Sequence, residues 1–232
     1  MKRAWPLALA ALVGCGGGSD DAPPAGSQPP PSSIAASAAM RALLTTPRTA
    51  TASGTGSDGQ SYQLTYVVTP QGAGTLDGGA LPVDVVQFAS TLRAGGVVTS
   101  AATTTWFVRQ GTSRVEAVRR SDGDCGRATA PSEPPNTAAL LAGGPLYSMS
   151  IFDGCSSGGF SFETETATWS VESEGSVAYL CVRVAFTGIG APGGGATQQL
   201  CVQSSSAGAL GPAVRFTITQ GTAFNVTLRG TL

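Results

Sequence analysis

The sequence predicts an all-β domain, an antiparallel sandwich or barrel built of hairpins, for most of its 232 residues. Three observations carry this reading. From residue 48 onward apolar and polar residues alternate with a period of two. The alternating runs are short and are separated by Gly- and Asp-containing turns. After Thr46 no segment repeats with the 3.6-residue period of a helix.

The elements follow in chain order. Lys2 and Arg3 precede a short apolar stretch over 5–13, which runs into Leu12-Val13-Gly14-Cys15. A positive start, a short apolar core and small residues before a cut read as a secretory signal over 1–14. The stretch is too short for a membrane-spanning helix, which needs about 20 apolar residues. Leu12-Val13-Gly14-Cys15 resembles the lipobox of bacterial lipoproteins, and the resemblance covers the signal alone. It implies cleavage before Cys15, acylation of that cysteine (palmitate among the chains), and a membrane as partner through the lipid. With Gly16 and not aspartate next, it implies an outer-membrane address in the bacterial envelope.

Residues 15–33 are rich in Gly, Pro, Ser and Asp and show no hydrophobic period, so they read as a disordered tether. Residues 34–47 hold a predicted short helix through Leu44, capped by Ser32 or Ser33 and stopped by Pro47. Its positions Ile34, Ala38, Arg41 and Ala42 make no strong apolar stripe. The β domain spans 48–232. Asp58-Gly59 between alternating runs predicts a type I′ hairpin, and Gly111-Thr112 a type II′ hairpin. Further alternating runs cover 146–152, 160–170, 177–187, 198–203, 213–219 and 223–228, with a less regular one at 83–92. Residues 106–112 and 216–222 echo each other, as a duplicated hairpin or as one turn solution reached twice.

Composition narrows the chemistry. There is no histidine, which excludes Ser-His-Asp and Cys-His nucleophiles and histidine metal ligands. Lys2 is the only lysine, which leaves no basic tract for nucleic acid and no Schiff-base lysine. Removal of a signal containing Lys2 and Arg3 leaves 11 of the 13 basic residues against 14 acidic ones, and a net charge of −3 is too small to point to a charged partner. Two motifs fail on context. Gly54-Thr55-Gly56-Ser57-Asp58-Gly59 spells GxGxxG, but a strand follows where a dinucleotide site needs a helix. Gly154-Cys155-Ser156-Ser157-Gly158 spells GxSxG, but no base exists to activate Ser156.

Asp122, Asp124 and Asp153 could meet as a fragment of a calcium site, although Asp-Gly turn chemistry accounts for them more simply. Glu163 and Glu165 lie two apart on a strand, as do Glu172 and Glu174; such neighbours read as a solvated face, with Phe160, Phe162, Thr164, Thr166 and Thr168 opposite. Paired carboxylates can also run glycoside hydrolysis when they face each other across about 5–10 Å. Cys125, Cys155, Cys181 and Cys201 are even in number and, in an exported chain, read as two disulfides. A hairpin turn centred on residue 191, inside a segment of five glycines and a proline, sets Cys181 opposite Cys201 and leaves Cys125 for Cys155. Trp106, Trp169, Tyr62, Tyr66, Tyr147 and Tyr179 read first as core, and second as the lining of a ligand groove. The functional expectation is a lipid-anchored envelope protein with a non-enzymatic β domain, without cofactor, that binds an envelope protein or glycan or serves in assembly. The alternatives are a carboxylate-dependent enzyme acting on glycans and a calcium-stabilised carbohydrate-binding module.

Overall fold

A computed structural model describes residues 29–155, 161–188 and 195–232. Twelve antiparallel strands close into one barrel. They are β2 (Arg48–Thr55), β3 (Ser61–Leu76), β4 (Leu81–Ala94), β5 (Val97–Arg109), β6 (Val115–Arg120), β7 (Cys125–Ala128), β9 (Gly143–Phe152), β10 (Ser161–Glu174), β11 (Val177–Gly188), β12 (Ala196–Ser204), β13 (Leu210–Gln220) and β14 (Phe224–Thr231). Two short strands, β1 (Ser33–Ile34) and β8 (Ala138–Ala139), pair apart from the barrel. Each barrel strand pairs with its chain neighbour, the one skip running from β7 to β9. A meander of this kind ends in two free edges, and pairing β14 onto β2 removes both. Closure of that seam makes the domain a barrel.

The strands put apolar side chains inside. Ala50, Leu64, Val86, Trp106, Leu180 and Leu228 from six different strands are all buried in one core. On β10 the outward positions are polar, and Thr164, Thr166 and Thr168 are exposed. That is the reverse of a membrane-spanning barrel, whose outer band is apolar. Among the described residues no helix is long and apolar enough to cross a membrane.

One end of the barrel is stopped by α1 (Ala36–Thr45). The helix buries Ala36, Ala39, Met40, Leu43 and Leu44, a stripe at i, i+3, i+4, i+7 and i+8. This stripe is two residues out of phase with the set Ile34, Ala38, Arg41 and Ala42. Neither Ser32 nor Ser33 caps the helix: Ala35 is its N-cap and makes no side-chain cap bond. Ser33 and Ile34 are instead strand, paired with Ala139 and Ala138. Tertiary contacts satisfy the first turn, Ala35 N donating to Ser206 O at 3.0 Å and Ser37 N to Pro135 O at 3.1 Å. At the other terminus the Arg48 guanidinium donates to the carbonyls of Ala42 (2.8 Å) and Thr46 (3.2 Å).

β2 starts beside α1 and runs away from it, and the antiparallel order then fixes which connections meet at the far end. The β2–β3, β4–β5, β6–β7 and β13–β14 turns lie there, together with the ends of β9 and β11. We call this end the mouth. The β2–β3 turn is not type I′, which needs positive φ at both central residues. Only Gly59 has it (φ 79°), and the turn is a longer loop closed by Gly56 N donating to Gln60 O at 2.9 Å. At the β5–β6 turn the positive φ belongs to Gly111 (73°), with Thr112 N donating to Arg109 O at 3.1 Å. Glycine thus occupies the third place of that turn, where type II′ would have it second.

Candidate functional site: the barrel lumen

Several of the sequence's candidate residues meet in the lumen. Glu163 and Glu165 do not form a solvated face. They point into the barrel, 6% and 2% exposed, and Thr164, Thr166 and Thr168 are the outward residues. Alternation along β10 is as expected and its phase is inverted. The signal for the phase lay further along the strand, because Ala167, Trp169 and Val171 share the glutamates' side and are buried with them.

Buried carboxylates need partners, and β6 and β9 supply them. The Arg120 guanidinium donates to Glu163 and, at 2.8 Å, to Glu165 Oε2. Tyr147 Oη donates to Glu165 Oε1 at 2.7 Å. Arg120 also lies over the Phe186 ring, 5.2 Å from its centroid. Burial alone would push the Arg120 guanidinium down, but its bonds to the two glutamates outweigh that and hold it above the ordinary arginine value. Burial, then the charge and hydrogen bond of Glu165, raise the Tyr147 hydroxyl well above the usual tyrosine range.

An aromatic wall continues round the lumen from this cluster. Tyr147 meets Trp106 edge to face with centroids 5.8 Å apart, and Trp106 meets Phe88 at 4.8 Å. Phe88 then meets Tyr66 at 5.9 Å, and Tyr66 meets Phe216 at 5.2 Å. Pairs at these separations attract beyond their buried area. Among the described residues Tyr66 Oη has no hydrogen-bond partner, and burial raises its hydroxyl above the tyrosine range. The wall surrounds free space: a compartment of about 150 Å³ reaches Leu43 of α1, and one of about 390 Å³ nearer the mouth is lined by Arg120, Glu163, Glu165 and Phe186. Tyr66, Phe88, Trp106, Gln198 and Gln220 line both, so the two adjoin.

The remaining candidates lie elsewhere. Cys15, with the signal and the tether up to residue 28, lies outside the described residues, as do Ser156 and Phe160. Asp122 and Asp124 sit in the β6–β7 turn, where Asp122 Oδ1 accepts from Asp124 N at 3.1 Å. Asp153 is on the adjacent rim. Partial burial, then repulsion by Asp122 and Asp153 against attraction by Arg120, raises the Asp124 carboxyl. Among the described residues the only tight grouping of ligand-type atoms is Glu172 with Cys181 and Cys201, not the three aspartates. Those two cysteines are directly opposed on β11 and β12, at disulfide distance with Cα atoms 3.9 Å apart. Cys125 and Cys155 are likewise paired, with Cα atoms 5.4 Å apart. Glu172 and Glu174 are on the outer face, in contact with Arg215 and Arg229. Tyr179 lies on that side too, beneath Arg215. Tyr62 donates to Asp58 at the mouth (2.7 Å), and Trp169 belongs to the core.

Sequence reasoning missed Arg120, whose role depends on a partner 43 residues away. It also missed Phe88, Phe186, Phe216, Gln198 and Gln220, which carry no local motif. Set against known proteins, the chain matches no family model, no curated protein and no solved structure, so the lumen's own chemistry is the basis for any functional reading.

Proposed function

We propose that this is a lipid-anchored protein of the bacterial envelope, held to the outer membrane through Cys15, whose barrel binds a small amphipathic molecule without transforming it. The aromatic lumen carries the reading: among the described residues it reaches α1 at one end, extends toward the mouth at the other, and has polar groups on one side. An eight-stranded barrel has room for one small ligand, and twelve strands enclose more. A combination of mostly apolar lining with a few convergent polar groups is the usual character of a ligand site. The anchor rests on the resemblance of Leu12-Val13-Gly14-Cys15 to a lipobox. A glycan-acting enzyme is less well supported. Glu163 and Glu165 lie on one strand and share one guanidinium, so they do not flank a bond from opposite sides.

The experiment uses the full chain carrying Cys15→Ala, titrated with the neutral fluorophore phenylnaphthylamine. Saturable binding is expected, and Ser90→Trp, which fills the lumen, should weaken it by at least about tenfold, roughly 1.4 kcal/mol. Binding that ignores the filled lumen would remove the binding reading. In cell fractions, Cys15→Ala should leave the membrane pool, and unchanged partitioning would remove the anchor.

A further inference from the structure

We infer that the molecule taken by the lumen is an organic cation, an ammonium- or guanidinium-type head on an apolar or aromatic body. This inference rests on the binding reading above and adds the sign of the ligand's charge. Four observations carry it. The charged side chains lining the cavity are Arg120, Glu163 and Glu165, which leaves one formal negative charge uncompensated. Glu165 is satisfied from two sides, by Arg120 and Tyr147. Glu163 is not: it is 94% buried, Arg120 engages one of its oxygens, and among the described residues the other has no partner although it borders the cavity. The rest of the wall is built from the rings of Tyr66, Phe88, Trp106 and Phe216, and an aromatic face attracts a cation.

Charge counting decides between the two signs of ligand. An anion could reach Arg120 only by adding a third negative charge beside Glu163 and Glu165, and like charges at such short range repel. A cation beside Glu163 neutralises the site and pairs the Glu163 oxygen that Arg120 leaves without a partner. The rim works in the same direction. Asp122, Asp124 and Asp153 border the mouth next to Arg120, and an excess of negative charge at a cleft's edge concentrates cations. Arg93, the cation of the β4–β5 turn, bonds the Gly96 carbonyl at 3.2 Å.

The test compares three probes with the same ring and different heads: naphthylmethylammonium, naphthylmethanol and naphthoate. Each is titrated by calorimetry into the full chain carrying Cys15→Ala. The ammonium should bind at least about tenfold tighter than the alcohol, with naphthoate weakest. Glu163→Gln should bring the ratio of ammonium to alcohol close to one. If that variant does not fold, the ranking in the unaltered lumen decides alone. Binding of the alcohol with naphthoate equal to or tighter than the ammonium would overturn the inference and leave the lumen as a binding site. Absence of binding by all three would overturn both.

Discussion

Tyr66 and Tyr147 are held neutral by where they sit. Burial raises both hydroxyls, and Glu165 raises Tyr147 further. In the unfolded chain both would ionise near the ordinary tyrosine value of about 10. The unfolded chain therefore sheds these protons first as pH climbs. The stability the two residues supply is complete below about pH 10 and is lost as pH rises through their folded values. We expect phenolate absorbance from these two tyrosines to appear together with loss of circular dichroism, and Tyr147→Phe to move the alkaline midpoint upward. Smooth ionisation of both in a barrel that stays folded would contradict their burial. Little of this environment was legible in the sequence. The glutamates at 163 and 165 were recognisable as a same-side pair, but the side depends on Ala167, Trp169 and Val171. Arg120 reads in isolation as one more surface arginine.

At the level of elements, the seam between β14 and β2 makes the barrel. It is narrow, with Arg229, Gly230 and Thr231 pairing with Ser53, Ala52 and Thr51. Glycine is required there by proximity: a Cβ at Gly230 would run into the Thr51 carbonyl, and one at Gly54 into the Thr227 carbonyl. Gly230→Val should cost at least about 1–3 kcal/mol, as overpacking does, and should lower the urea midpoint. An unchanged midpoint would show that the seam gives way without cost. Strand existence was legible because each run alternates and turns punctuate the runs. Closure was not, since no local pattern says that the first strand meets the last. The echo of 106–112 in 216–222 looks different in the fold. β5 and β13 run in opposite directions, so their turns lie at opposite ends of the barrel. That arrangement favours one turn solution reached twice over a copied hairpin. The helix was legible from its alanines, while its start was set by contacts with Ser206 and Pro135 that no sequence window contains.

For the molecule as a whole, the two cysteine pairs differ in protection. Cys181 and Cys201 are fully buried under Arg215, whose Nη2 lies 3.3 Å from Cys201 Sγ. Cys155 is exposed on the rim. A mild reductant should open Cys125–Cys155 first and leave Cys181–Cys201 closed until the barrel unfolds, which alkylation and mass spectrometry would read. Simultaneous opening would mean that the outer face is more permeable than its burial indicates. The hairpin arithmetic about residue 191 reached the Cys181–Cys201 register because both strands alternate cleanly up to the turn. The chain reaches the barrel through Ser33, Ile34 and α1, all at the plugged end. Whatever grips the protein by residues ahead of these therefore grips it by its base, like a cup on a stalk, with the rim turned away from the hand. Among the described residues, a guest's way to the polar compartment lies on the far side, away from that base.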